Sequence, residues 1–479
     1  MSGPGTAGAA RPVPRARAEY RATLDRLYRR RRFGFRPGLE VIRAVLSALG
    51  EPQRSFPAVH VTGSKGKGSV SAMTAEILSA HGLRVGLFTS PHLTRYAERI
   101  REGDRPIPAA AVTRGVTRIE EAVAALLKAG GIDREPTFFE ITTALALDWF
   151  ARRKVDAAVI EVGIGGRLDA TNVLDARVGV ITTIELEHTD VLGSTLAAIA
   201  EEKSGILHPG MRGVIGGLPE EADAVVARTA DRLGVSLWRL GREVVVDDRE
   251  LQPDGQSFSV RVPGLAVPRV RIPLLGGFQV GNAGLAVAAA VRFLDATGRS
   301  ARPGGVTRGL AHVRWPGRLE RAGRQPELFF DVAHTPESAR AVTESLGEIA
   351  PLADPAASAI VFGCLRGKQT DRILDALSPL ARTVVLVPVR SARGLPPSEI
   401  RVAAAGRFPR VVEAPNAADG LRLARAATGD EGFTLVTGSD YLVGELREPR
   451  GRRDEPDLSD PGHEPQPARG PGTAGARTP

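Results

Sequence analysis

Cysteine is nearly absent from this 479-residue chain: Cys364 stands alone, so no internal disulfide can form and a disulfide-stapled scaffold is excluded. A reducing compartment suits such a chain, and Cys364, placed after a strand-like run, reads as packing. No run of about 18 apolar residues occurs, which excludes a membrane-spanning helix. The segment Met1 to Val13 lacks the apolar centre of a signal peptide, so a cytoplasmic protein without a membrane partner is expected. What is present is ordinary for a globular protein: 42% hydrophobic and 25% charged residues, enough for two or three domains.

The net charge of +9 is concentrated near the N-terminus. Ten arginines face only two acids, Glu19 and Asp25, between Arg11 and Arg36. This reads as the solvated face of a helix around Tyr20 to Tyr28, with a nucleic-acid or anionic surface as the alternative. Residues 1–16 and 449–479 are rich in proline and glycine and read as disordered tails, too poor in apolar surface to offset the entropy of ordering.

Between the tails, short apolar strands alternate with helical periodicity, the pattern of a parallel sheet covered by helices. Strands are expected at Ala58 to Thr62, Leu83 to Thr89, Ala157 to Val162 and Val178 to Thr183. Helices are expected at Ser69 to His81, Phe138 to Lys154 and Ser194 to Leu207. Residues 236–275 read as antiparallel hairpins and Gln279 to Thr297 as a helix. Gly298 to Gly305 reads as a linker, after which α/β alternation resumes. Two α/β domains follow, 17–299 and 300–448.

The segment Gly63-Ser-Lys65-Gly66-Lys67-Gly68-Ser69 lies between a strand and a helix. Glycines there let backbone N–H groups approach an anion, and the helix N-terminus adds a favourable potential. Lys67 would neutralise phosphate charge. A standard phosphate loop has Ser or Thr directly after the lysine, but here Gly68 intervenes. After the next candidate strand stands Glu161-Val-Gly163-Ile-Gly165-Gly166-Arg167-Leu168-Asp169-Ala-Thr171-Asn172. An acid at a strand's carboxyl end is placed to hold Mg²⁺ against a nucleotide. Glu187-His188 follows a third strand, and Lys203 sits in the next helix. In the second half, Trp315-Pro-Gly-Arg318 and Asp331-Val-Ala-His334 occupy a loop and a strand end from which they could reach across a cleft.

Together these segments resemble the dihydrofolate synthase/folylpolyglutamate synthase family, a branch of the Mur-type ATP-dependent amide ligases. The likeness runs from about Tyr20 to Glu448. It includes Phe33-Gly-Phe-Arg-Pro-Gly-Leu-Glu40, Ser90-Pro-His92, Phe139-Glu140-Ile-Thr142, Gln279-Val-Gly-Asn282 and Thr437-Gly-Ser439, all in family order. The family's own phosphate loop, close to Gly-Thr-Asn-Gly-Lys-Gly-Ser, accounts for the extra glycine. The resemblance implies an α/β protein: a P-loop-type, mostly parallel sheet domain like the Mur-ligase central domain, then a smaller Rossmann-like domain. It implies that Gly66, Lys67, Gly68 and Ser69 bind ATP phosphates, and that Asn282, Arg318 and Asp331 contact the nucleotide. Ser90 and Glu161 would hold one Mg²⁺, and His188 a second with Lys203 as a carbamate. Thr137, Phe138, Phe139, Glu140, Leu168, Asp169 and Ala170 would line a pterin pocket. His334 would orient groups near the acyl transfer.

The implied reaction joins L-glutamate to dihydropteroate or reduced folates through an acyl phosphate, with no side-chain nucleophile, in a monomer without a nucleic-acid partner. The intact Arg167-Leu168-Asp169 run favours both acceptors. Departures from the family pattern are Glu187 for Asp, Thr335 for Asn, Phe278 for His, and Gly367-Lys368-Gln369 for Asp-Lys-Asp. Three other readings stay open at this point: a synthase that only extends the glutamate tail of folates, a different Mur-type amino-acid ligase, and a nucleic-acid-binding regulatory ATPase using the arginine-rich segment.

Overall fold

The computed structural model describes residues 15–30, 36–351 and 353–447. Residues 1–14 of the expected N-terminal tail, the whole expected tail 449–479, and Phe33 to Phe35 of the motif Phe33 to Glu40 lie outside the described residues, whereas Arg15 and Ala16, expected in the tail, belong to the first helix.

An eight-stranded sheet forms the first unit. Six of its strands are parallel, in the order Val85–Phe88, Ala157–Glu161, Ala58–Thr62, Ala176–Ile181, Arg212–Ile215 and Ser236–Arg239. Two short antiparallel strands, Ile100–Glu102 and Arg105–Pro106, close one edge. The central strands Val85–Phe88, Ala157–Glu161 and Ala58–Thr62 are mostly apolar and buried along their whole length, as a sheet covered on both faces requires. Lys67–Ala80 and Phe278–Ala296 pack together on one face, and Phe138–Arg153 lies on the other.

The first helix, Arg15–Arg29, has the expected two faces. Tyr20, Leu24, Leu27 and Tyr28 are buried, and its arginines include Arg26, paired with Glu120.

Two expectations change here. Ser236–Arg239 is not part of a hairpin but the parallel edge strand of the large sheet. Only Val245–Gln252, Gly255–Val262 and Leu265–Ile272 form the separate antiparallel sheet. Second, the expected linker turns helical at Pro303, and the helix runs to His312. It packs on Lys67–Ala80: Arg302 N–H donates to His81 Nε2 at 2.9 Å, and a Cβ on Gly309 would lie 2.6 Å from Ile77 Cα. We therefore place the passage between the two units after His312 rather than near residue 300.

The second unit is a six-stranded sheet, Glu320–Arg324, Glu327–Phe330, Phe433–Thr437, Ala359–Phe362, Thr383–Leu386 and Arg410–Glu413. All its pairings are parallel except the first. Cys364 is buried within it, as packing requires.

Candidate active site

The loops after Ala58–Thr62, Val85–Phe88, Ala157–Glu161 and Ala176–Ile181 all leave the carboxyl ends of neighbouring parallel strands. The connection from Ala157–Glu161 to Ala176–Ile181 passes over the strand between them, a switch in strand order that opens a crevice. The second unit faces this crevice, and the two enclose a cavity of about 760 Å³.

The phosphate loop is built from its backbone. Gly66 caps the helix at φ 82°, a conformation that glycine adopts without penalty, and the helix starts at Lys67, two residues before the expected start. Lys67 Nζ donates to the carbonyls of Gly63 (2.7 Å) and Ser64 (3.4 Å), which draws the ammonium over the loop. Gly68 is needed for room. A Cβ there would lie 2.6 Å from Cζ2 of Trp315, whose ring belongs to the passage into the second unit. Gly68→Ala is therefore expected to push Trp315 off the loop and lower kcat/KM for the nucleotide about a hundredfold, the scale of a misplacement of about 1 Å. Steady-state kinetics at varied nucleotide checks this; an unchanged kcat/KM would contradict it.

Glu161 ends its strand buried, with Oε2 accepting from Ser90 N–H at 2.8 Å. Burial pushes its carboxyl up to about 7, against the pull of Lys67, that N–H and Arg318. Lys203 is almost fully buried and donates to Glu187 Oε1 at 2.9 Å. Burial lowers its ammonium to about 8. Burial alone would raise the Glu187 carboxyl, but Lys203, Lys67 and Lys65 outweigh it and hold the group well below the usual range. Among the described residues, no three His, Cys, Asp or Glu side chains converge into a metal cage.

Next to this lies an aromatic pocket. Thr137 caps its helix reciprocally with Glu140, and Arg134 grips both Glu140 carboxyl oxygens at 2.9 Å. Glu140 thus shapes the wall rather than offering a free carboxylate. Phe138 and Phe139 line the pocket, with Leu168, Asp169 and Ala170 beside them. Arg167 turns away from the cavity to pair with Glu202, while its backbone N–H donates to Glu202 O at 2.8 Å. It anchors the loop from outside.

From the second unit, Asp331 accepts from Leu319 N–H and Ala333 N–H, both at 2.7 Å. His334 is oriented by a 2.9 Å contact of Nδ1 with Val332 O. Thr335, where the family has Asn, caps the following helix through its side chain. Burial raises the Asp331 carboxyl to about 6, opposed by Arg318 and the two N–H donors. Between pH 3.8 and about 6 the folded state holds this proton and the unfolded state does not. Rising pH therefore removes stability across that window, ~3 kcal/mol in all at about 1.4 kcal/mol per unit. Asp331→Asn should lack this slope. Urea unfolding of both proteins from about pH 4 to 7 checks it, and parallel stability curves would contradict it.

The structure brings Gly66, Lys67, Gly68, Ser69, Ser90, Glu161, His188, Asn282, Arg318, Asp331 and His334 to one cavity with the aromatic pocket. Lys203 is not on the lining; it reaches the cavity only through Glu187. Lys65, Arg99, Lys368 and Ser439 also line it and were not singled out as site residues. Lys65, Lys368 and Ser439 sit inside the motifs named above, but Arg99 carries no separate sequence signal.

Residues 61–290 match the Mur ligase middle domain, and residues 317–440 match the Mur ligase glutamate ligase domain. A Haloferax volcanii protein described as a probable bifunctional folylpolyglutamate synthase/dihydropteroate synthase is 36% identical over 449 residues; the chain spans half that relative's length. The Mycobacterium tuberculosis dihydrofolate synthase/folylpolyglutamate synthase is 35% identical over 443 residues, covering 87% of this chain and 90% of that one. A crystal structure of Mycobacterium tuberculosis folylpolyglutamate synthase complexed with ADP and AMPPCP superposes with a TM-score of 0.83 at 34% identity, over 90% of this chain and 98% of that one. Two Mur-type units in order, and likeness along nearly the whole chain, establish that it belongs to the dihydrofolate synthase/folylpolyglutamate synthase family.

Proposed function

We propose that this chain is an ATP-dependent ligase that joins L-glutamate to folates, accepting both dihydropteroate and reduced folates, as a monomer. The observation that carries this reading is the single cavity. It joins a phosphate loop, a buried acid and an aromatic pocket to polar groups of a second unit. A phosphoryl donor, a carboxylate acceptor and an amine can meet there without release of an intermediate.

The acceptor carboxylate attacks the γ-phosphorus of ATP, forming an acyl phosphate as ADP leaves. Lys67 and the loop amides stabilise charge on the transferring group. The glutamate amine then attacks the acyl carbon, and phosphate departs as the amide forms. Arg318 and Asp331 close on the nucleotide from the second unit and help exclude water from the acyl phosphate. His334 orients the incoming amine.

Ser90 and Glu161 fit Mg²⁺, since a buried carboxylate with spare acceptor capacity is a hard-cation ligand. His188 and Lys203 fit a second ion only if Lys203 carries a carbamate, because its ammonium is a cation. Bound there, Mg²⁺ supplies neutralisation of phosphate charge.

The test is phosphate release from ATP by purified protein with Mg²⁺ and L-glutamate, with dihydropteroate or tetrahydrofolate as acceptor. Glutamate-dependent turnover with a glutamyl mass gain is expected from both acceptors. Turnover with tetrahydrofolate alone would remove the first activity. Silence with both, in a protein shown to bind ATP, would point to another Mur-type substrate.

A further inference from the structure

His60 sits in the middle of the buried strand Ala58–Thr62, among alanine, valine and threonine, and is 1% exposed. An apolar side chain would pack there at lower cost, because burying an imidazole requires hydrogen-bond partners. The ring has one. Nε2 lies 2.8 Å from Thr171 Oγ1, whereas Nδ1 is buried with no partner among the described residues. Thr171 in turn donates to Asp169 Oδ1 through its hydroxyl (2.5 Å) and its backbone N–H (3.0 Å). Asp169 Oδ2 accepts from Ile164 N–H at 3.0 Å.

The proton positions follow. The Thr171 hydroxyl proton goes to the carboxylate, so Oγ1 is left to accept from His60 Nε2–H. Nδ1 is then a bare acceptor, a smaller loss than a buried N–H without a partner. Burial, with His208 nearby, lowers the imidazole to about 3, so it stays neutral with its proton available for this bond. Asp169 closes the ends of the segment 164–171 on each other. Of the three residues only Asp169 lines the cavity, beside Leu168 and Ala170.

We propose that His60 and Thr171 are positioning residues for the acceptor substrate: a His–Thr–Asp relay, anchored in the central strand, that fixes the loop forming one wall of the acceptor pocket. This rests on the assignment of that pocket to the pterin end of the acceptor. The relay acts on acceptor binding and leaves the phosphate loop, which follows the same strand, unaffected.

The experiment compares Thr171→Val, Thr171→Ser, His60→Leu and His60→Gln. Each gets kcat, KM for dihydropteroate, KM for ATP, a thermal midpoint, and hydrogen exchange of the peptide containing Ile164 to Thr171. Thr171→Val and His60→Leu should raise KM for dihydropteroate about ten- to a hundredfold. Their KM for ATP should stay within about twofold. Thr171→Ser keeps the hydroxyl and His60→Gln keeps an N–H at the place of Nε2, so both should recover most of the loss. Equal rises in both KM values, or no rescue, would overturn the relay. If the wild type uses no folate acceptor, the substrate assignment has failed, and exchange decides the relay on its own. Faster exchange of that peptide in Thr171→Val, reversed in Thr171→Ser, supports it, and unchanged exchange overturns it.

Discussion

Lys67→Met should lower kcat about a thousandfold while the protein remains folded. Removing one preorganised charge stabiliser from a water-poor site costs about 10²- to 10³-fold. Lys67 belongs at the upper end because its ammonium is already held over the phosphate loop by two carbonyls. Methionine keeps most of the stem packing and removes only the charge. Lys67→Arg should not restore activity, because a planar guanidinium cannot place a compact charge in the same spot. Single-turnover ADP formation measures the effect directly. A loss below about tenfold would show that the loop amides alone carry the phosphoryl group.

The second large effect is expected at Glu161. Glu161→Gln should lower kcat about a thousandfold and weaken the dependence on Mg²⁺, because an amide oxygen is a poor substitute for a carboxylate ligand. Stability of the metal-free protein should move the other way. Burial holds the native carboxyl at about 7 against an ordinary 4.5, so the native state binds the extra proton between these values. Stability is lost as pH rises through that window, ~3.5 kcal/mol in all at about 1.4 kcal/mol per unit. Glutamine carries no such penalty. The variant should therefore be the more stable protein above about pH 7 without Mg²⁺, and the advantage should shrink toward pH 5. Urea unfolding of both proteins with chelator checks it. A variant less stable at every pH would mean that Glu161 is held by cations rather than strained by burial.

The strands and their functional loops were legible in the sequence because parallel strands buried on both faces are nearly continuous apolar runs, as in Ala157–Glu161 and Ala58–Thr62. Ser236–Arg239 was misread for the opposite reason: it lies at the sheet edge, half-covered, with no apolar run to mark it. Gly298 to Gly305 reads as a linker because Arg, Ser and Pro-Gly-Gly are loop vocabulary. Pro303 instead occupies the first turn of a helix, where its missing N–H costs nothing, and Gly305 and Gly309 are where that helix crosses His81 and Ile77. The cavity residues that carried motifs could be read from the sequence. Arg99 could not, because only the packing of the fold brings it to the chamber. Arg167 and Glu140 show the reverse limit: both belong to clear motifs, yet their charged ends are bound to neighbours rather than turned to substrate.

The central claim is that an acceptor carboxylate attacks the γ-phosphate of ATP in this cavity. The most direct measurement uses dihydropteroate labelled with ¹⁸O in its carboxylate, with ATP, Mg²⁺ and L-glutamate, and follows the label by mass spectrometry. An acyl phosphate requires one labelled oxygen to appear in inorganic phosphate for each amide formed. Label in AMP, or amide formation with unlabelled phosphate, would contradict the mechanism.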